Sequence, residues 1–167
     1  MSPETLNFFL ETKRDEVAAE VVRRLHASEL EHYRQIPTED LRPRILALYD
    51  AYRASVLAGD HLALHDFLTA VAHKRLQQGY GLEELLLLVN ALFDVTWEEA
   101  ARAFEGRLGE AFDDLRRLAQ GFIWAKGDVA VAYAQTTTEE REALRRLNTA
   151  FNAYLRLKHE NEGGGTA

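Results

Sequence analysis

Residues 75–97 read RLQQGYGLEELLLLVNALFDVTW, and this stretch decides the fold. Gly79, Tyr80 and Gly81 end one helix, and Leu82 begins another that is apolar on nearly every side over residues 85–93. A helix that is apolar all round must be covered on all sides. The stretch therefore predicts either the middle of a helical bundle or a bundle face covered by a second copy. The candidates for core or interface are Leu85, Leu86, Leu88, Val89, Leu92 and Phe93.

The rest of the chain has the composition of an all-α protein. The 167 residues include only 3 prolines and are rich in Ala, Leu, Glu and Arg, which are strong helix formers. No stretch alternates Val, Ile or Thr as a strand would. Apolar spacing and capping signals predict one antiparallel helical bundle. The predicted helices run from Ser2-Pro3-Glu4 to about Ala27, around Tyr33 with Ser28 as N-cap, from Thr38 or Arg42 to Gly59, from Asp60 to Gly79, and from Leu82 to about Glu105.

The segment that follows Gly106 is predicted to form an unusually long helix. Two glycines, Gly121 and Gly127, each weaken it by roughly 1 kcal/mol relative to Ala. The residues that look like core positions are Leu108, Phe112, Leu115, Phe122 and Ile123.

The C-terminal part of this segment carries apolar residues at alternating steps of three and four, as in a coiled coil. The seam has a polar gap at Thr137 and Glu140, which could equally mark a break and a new helix start. We predict a bundle over residues 1–135, a C-terminal helix over 136–160 and a flexible tail over 161–167. The apolar end of the seam consists of Leu144, Leu147, Phe151 and Tyr154.

Charge and composition argue against several classes of function. The net charge is −7, whereas a nucleic-acid partner requires a concentrated basic face. Cysteine is absent, so disulfides, zinc-thiolate sites and thiol catalysis are excluded. The longest apolar run, residues 85–89, is far shorter than the ~20 residues that span a bilayer, and the N-terminus does not read as a signal peptide. We expect no nucleic acid and no membrane, and the composition is compatible with the cytoplasm.

Histidines are the main candidates for a metal or haem site. His61 and His65 are four residues apart, a spacing that lets two imidazoles share a metal, but no third ligand is evident. A haem would need one inward histidine, and His26 and His65, at the edges of apolar stripes, are better placed than His73 on the polar side of its helix. Neither is convincing, so we predict no metal and no cofactor.

Paired acids and tyrosines are best explained by structure. Glu83-Glu84 lies in a first helical turn, where acids favour the dipole, and Glu98-Glu99 reads as a solvated face. No Ser-His-Asp grouping and no phosphate-binding loop is present, so no catalytic residue is predicted. Three tyrosines at helical spacing are expected to pack in the core or an interface: Tyr33, Tyr49 and Tyr52.

A pattern of turns and apolar positions resembles that of a known family. The pattern comprises Tyr33, Ile36-Pro37, residues 41–57, the Ala58-Gly59-Asp60 turn, Phe67-Leu68, Ala72, Arg75, Gly79-Tyr80, Leu82 and Glu84-Leu85-Leu86. Over roughly residues 10–104 the chain resembles the N-terminal domain of RsbRD-type RsbT co-antagonists. These are helical sensor domains of the stressosome and related bacterial signalling proteins.

This resemblance implies a sensory input module without enzymatic activity. RsbR relatives have dimeric, non-haem globin-like N-terminal domains that signal through a connecting helix into a C-terminal STAS domain. Residues 108–154 would form that helix here. No STAS domain follows before Ala167, so we expect a sensor fragment of a longer protein or a stand-alone relative. The output domain would be a STAS domain or, if the chain is a fragment, a histidine kinase or cyclase domain.

The sequence thus predicts a cytoplasmic homodimer of bacterial stress signalling. Residues 1–135 would sense the signal, and the C-terminal helix would pass a conformational change to the output domain. The alternative is a globin-like sensor that binds haem or a small molecule in the bundle interior.

Overall fold

The chain folds as a bundle of helices. The computed structural model describes the backbone of residues 3–163 and the side chains of residues 6–107, 109–139, 142–143, 145–147 and 149. The protein is 88% helical, with no strand over the described backbone, so the all-α prediction is confirmed. Its helices are α1 (Pro3–Thr12), α2 (Arg14–Ala27), α3 (Glu31–Gln35), α4 (Thr38–Ala58), α5 (Leu62–Gln77), α6 (Leu82–Ala103) and α7 (Leu108–Gly163).

The first predicted helix is divided in two at Lys13. The division is slight, because the N–H of Lys13 donates to the carbonyl of Phe9 and the N–H of Val17 donates to that of Lys13. The apolar stripe therefore stays in phase across the junction. Its predicted members are all buried: Leu6, Leu10, Val17, Val21 and Leu25.

Two capping predictions had different outcomes. Ser28 does not cap α3, because its Oγ donates backwards to the carbonyl of Leu25 at 2.7 Å. Gly59 ends α4 as predicted, in the left-handed region with φ of 73°, where glycine carries no Cβ penalty. Asp60 then accepts the N–H of Leu62 at 3.1 Å and so satisfies one free donor at the start of α5.

α4 begins at Thr38 and keeps Pro43 inside the helix. Proline removes one backbone donor and crowds the carbonyl four residues earlier. Both Pro43 and Glu39 are exposed, so water can solvate the freed carbonyl.

Buried tyrosines join the helices of the core, as predicted. Tyr49 donates its hydroxyl to the carbonyl of Leu10 at 2.8 Å, which fixes α4 against α1. Tyr52 donates to the carbonyl of Leu118 at 3.0 Å, which fixes α4 against α7. Burial raises the pKa of both phenols above the ordinary range, so they remain neutral donors.

α6 is enclosed on one broad side. Leu85, Val89 and Leu92 are buried, and the other three predicted core or interface residues, Leu86, Leu88 and Phe93, are partly buried against the core. The single chain therefore covers α6 only in part. Whether a second copy covers the remainder stays a prediction.

Two acidic predictions are refined by the structure. Glu84 accepts the N–H of Gly81 at 3.0 Å, which adds a capping bond to the predicted dipole effect. Glu99 is not on a solvated face, because its side chain is largely buried and contacts Lys13 at 3.2 Å and Arg102.

α7 corrects the sequence analysis at two positions. Phe112 and Ile123 look like core residues in the sequence but are 66% and 63% exposed. Phe122 is buried as predicted, Leu115 is partly buried against the core, and Leu118 is buried although it was not predicted. At 100° per residue, Leu118 lies about 120–140° around the helix from Phe112 and Ile123. The side chain of Leu108 lies outside the described residues. α7 also continues through residues 136–140, so the helix break that the sequence allowed there is absent from the described backbone. No described helix is long and apolar enough to cross a membrane.

Candidate functional site: the α5–α7 interface

The helices α5 and α7 meet along a row of three contacts made by histidines, which we call the histidine row. The three contacting pairs are His61 with Trp124, His65 with Asp128, and His73 with Thr136. Partners in every pair are 63 residues apart, so both helices run in the same direction here. The register places one histidine of α5 against each of three successive levels of α7.

The middle contact is a hydrogen bond that becomes an ion pair when His65 is protonated. Nδ1 of His65 lies 2.8 Å from Oδ1 of Asp128. The hydrogen bond with Asp128, and then its charge, raise the pKa of His65. The Asp128 side chain is only 14% exposed, and its Oδ2 is buried with no donor among the described residues. When His65 is protonated, its charge compensates this carboxylate.

The third contact joins His73 to Thr136, which is only 6% exposed. Oγ1 of Thr136 lies 2.9 Å from Nδ1 of His73 and 3.0 Å from the carbonyl of Ala132. A carbonyl can only accept, and a hydroxyl has one proton to donate. Both contacts are hydrogen bonds only when Thr136 donates to Ala132 and His73 donates from Nδ1.

Three consecutive threonines follow the same local pattern. The hydroxyls of Thr136, Thr137 and Thr138 each lie within 3.0 Å of the carbonyl four residues earlier. Such bonds slightly destabilise and often bend a helix. The predicted polar gap thus lies within a continuous helix, and the hydroxyl of Thr137 is satisfied by the backbone of that helix.

α7 leaves the bundle at this level. Thr136 is the last buried side chain among those described for α7, and α5 ends at Gln77, which the same register places opposite residue 140. Leu147 is already 66% exposed. Of the predicted signalling residues, the side chains of Leu144, Phe151 and Tyr154 lie outside the described residues.

The predicted ligand histidines have protein partners. His26 places Nε2 2.9 Å from the carbonyl of Ile36, and His65 pairs with Asp128. His61 and His65 have ring centroids 5.8 Å apart. Within the described part of the chain, no group of three or more His, Asp or Glu residues is arranged to hold a metal ion.

Sequence reasoning missed His73, which was placed on the polar side of α5 and is half-buried against α7. One signal could have found it. His61, His65 and His73 are spaced by four and eight residues, so they share one face of the helix.

Comparison with known proteins gave one family match. The family model for the N-terminal domain of the RsbT co-antagonist protein RsbRD matches residues 15–150. No curated protein and no solved structure matched. The matched range contains the whole of the α5–α7 interface.

Proposed function

Because the chain belongs to the family of RsbT co-antagonist RsbRD N-terminal domains, a family of stress-signalling sensors, we propose that it is a non-enzymatic, dimeric input module. A signal received by the bundle changes the packing of α5 against α7. α7 then passes that change to an output domain of the STAS or histidine kinase type. We place the module in the bacterial cytoplasm, within a stressosome-like assembly.

One observation carries this proposal. The histidine row between α5 and α7 ends at Thr136, at the level where α7 leaves the bundle. Packed helix interfaces change between discrete arrangements rather than deforming continuously, and close-packed interiors transmit strain. A shift of α5 would therefore act on α7 directly before the segment that follows Thr136. This placement supports residues 1–135 as sensor and 136–160 as connector.

The outer face of α7 supports the dimer. It carries Phe112, Ile123 and Val131, and all three are more than half exposed. Between them lie exposed small residues, Gly127 and Ala130. Exposed apolar side chains that share one helix face are typical of an interaction site. A second α7 packed on this face would place both connectors side by side.

The test uses the rotational phase of the connector. The chain is fused to its native output partner, and either two or seven residues are inserted after Glu139. Seven residues turn a helix through about two full turns, whereas two residues turn it by about 200°. We expect the seven-residue insertion to keep the response to stress in a reporter strain and the two-residue insertion to change it. Equal responses from both insertions would show that α7 does not transmit a conformational change.

A further inference from the structure

A cleft opens on the side of α5 that faces α4. Its volume is about 410 Å³, within the range of small-molecule sites. Residues of α4 and α5 form its two walls, and Leu88 of α6 contributes from below. The cleft is distinct from the α5–α7 interface, although both use α5.

The interior of the cleft is apolar. Phe67, Val71 and Leu88 line it and are only partly buried. Apolar surface left open in a concave site gains free energy when a hydrocarbon group covers it. A ligand with an apolar body would therefore fit the floor of the cleft.

The rim of the cleft is basic. Arg44 and Lys74 are exposed on opposite walls, and neither forms an ion pair with a described carboxylate. Arg75 donates to the hydroxyl of Tyr80 at 3.1 Å and to Oε1 of Gln78 at 3.3 Å, which leaves its charge without a counterion among the described side chains. No described Asp or Glu lines the cleft. In a chain of net charge −7, this is a local positive field above an apolar floor.

We propose that the cleft binds an amphipathic carboxylate, with its hydrocarbon part over Phe67, Val71 and Leu88 and its carboxylate between Arg44 and Lys74. The charge complementarity selects an anion, and the floor selects an alkyl or aromatic body. The role of this ligand as the signal that the module receives rests on the proposed function. It would act on α5 from the side opposite the histidine row. Binding itself does not depend on that function.

The experiment is isothermal titration of the full chain with decanoate, below the concentration at which decanoate forms micelles. Decanol and decyltrimethylammonium, titrated in the same way, separate the contribution of the negative charge from that of the alkyl chain. We expect saturable binding of one decanoate per chain, about tenfold tighter than decanol, since each of two exposed ion pairs contributes modestly.

Two variants locate the site. Arg44→Gln with Lys74→Gln removes the rim charges and should weaken decanoate binding about tenfold while leaving decanol binding unchanged. Ala47→Trp places a ring in the cleft from an exposed position and should abolish binding of both. Matched controls are Lys126→Gln with Arg145→Gln on α7, and Ala54→Trp on α4, all exposed and outside the cleft. Thermal melting confirms that each variant folds.

Absence of saturable decanoate binding, or equal affinity of the wild type and the rim variant, would overturn the proposal. Equal affinity for decanol and decanoate would show that no carboxylate is recognised there. If decanoate binds as expected but the output fusion does not respond to it, the site stands and its role as input fails. If the two-residue and seven-residue insertion variants give the same response, the proposed function is refuted, but the proposal that the cleft binds a carboxylate is not.

Discussion

At the scale of single residues, Gly121 and Gly127 of α7 show how much the surroundings of a position matter. A Cβ at Gly121 would lie 2.6 Å from Cε2 of Tyr52 and 2.9 Å from Cγ2 of Val56. A Cβ at Gly127 would meet nothing within 4 Å. From the sequence alone, the two glycines are expected to lower the stability of the helix equally. The structure shows that only Gly121 is needed, because α4 and α7 approach each other there.

This difference gives the first prediction. Gly121→Ala should destabilise the protein by about 1–3 kcal/mol, because the methyl group overpacks against the buried ring of Tyr52. Gly127→Ala should stabilise it by about 0.5–1 kcal/mol, because Ala is the better helix former and has space. Urea denaturation of both variants measures the free energy of unfolding. Equal shifts of the same sign would contradict the close approach.

The second prediction concerns pH. The pKa of His65 is raised in the folded protein, first by its hydrogen bond with Asp128. A raised histidine pKa stabilises the fold fully below the unfolded value of ~6.5, and the stabilisation is lost as pH rises through the folded value. The melting temperature of the wild type should therefore exceed that of His65→Gln most at about pH 5.5, and the gap should narrow towards pH ~8.5.

Asp128→Asn provides the control for this pair. When it is combined with His65→Gln, the histidine substitution should no longer have a pH-dependent effect on melting, because the partner charge is gone. A gap between wild type and His65→Gln that stays constant with pH would show that the ion pair does not contribute to stability.

At the scale of helices, the sequence predicts best those features that depend on neighbouring residues, such as helix ends. Gly59 and Asp60 specify the turn between α4 and α5 through φ of 73° and a capping bond, and both signals lie within three residues. The face that α7 buries depends on distant partners. Phe112 and Ile123 are apolar, and only the position of α4 and α6 against α7 shows that both point outwards. The partner of His73 could not be predicted for the same reason, since Thr136 is 63 residues away.

The third prediction tests the buried side of α6. Val89 is buried, so Val89→Asp would place a carboxylate where it has no partner, at a cost of several kcal/mol. That cost is comparable to the stability of a domain, and the variant should unfold or melt far below the wild type. Ala101→Asp, exposed on the same helix, should melt as the wild type does. Circular dichroism with temperature measures both, and wild-type melting of Val89→Asp would contradict the packing of α6.

At the scale of the whole molecule, α5 is the helix that links the separate features. It forms one wall of the cleft with α4 and carries the histidine row against α7. α7 in turn has two sets of exposed side chains, those on the outer face of the bundle and those described beyond Thr137. In this arrangement α5 joins the cleft to the level at which the proposed connector begins.

The fourth prediction is that the outer face of α7 forms the dimer. Light scattering of the wild type should give twice the chain mass of 19.0 kDa. Ile123→Glu with Val131→Glu should give the monomer mass while the chain keeps its helical circular dichroism, because both side chains are already exposed. Phe8→Glu, on α1 and 66% exposed, is the control and should remain a dimer. A wild type of monomer mass at micromolar concentration would refute the dimer.

The last prediction addresses the contact nearest the connector. Thr136→Val keeps the shape of the side chain but removes the oxygen that faces Nδ1 of His73, at a cost of about 1 kcal/mol. In the fusion to the native output partner, this variant should change the ratio of stimulated to unstimulated reporter activity, because α5 no longer holds α7 at that level. Thr138→Val loses the same type of bond to its own helix but is exposed, so it should respond as the wild type does. If Thr136→Val also responds like the wild type, the histidine row is only a packing contact, and the signal must reach α7 by another path.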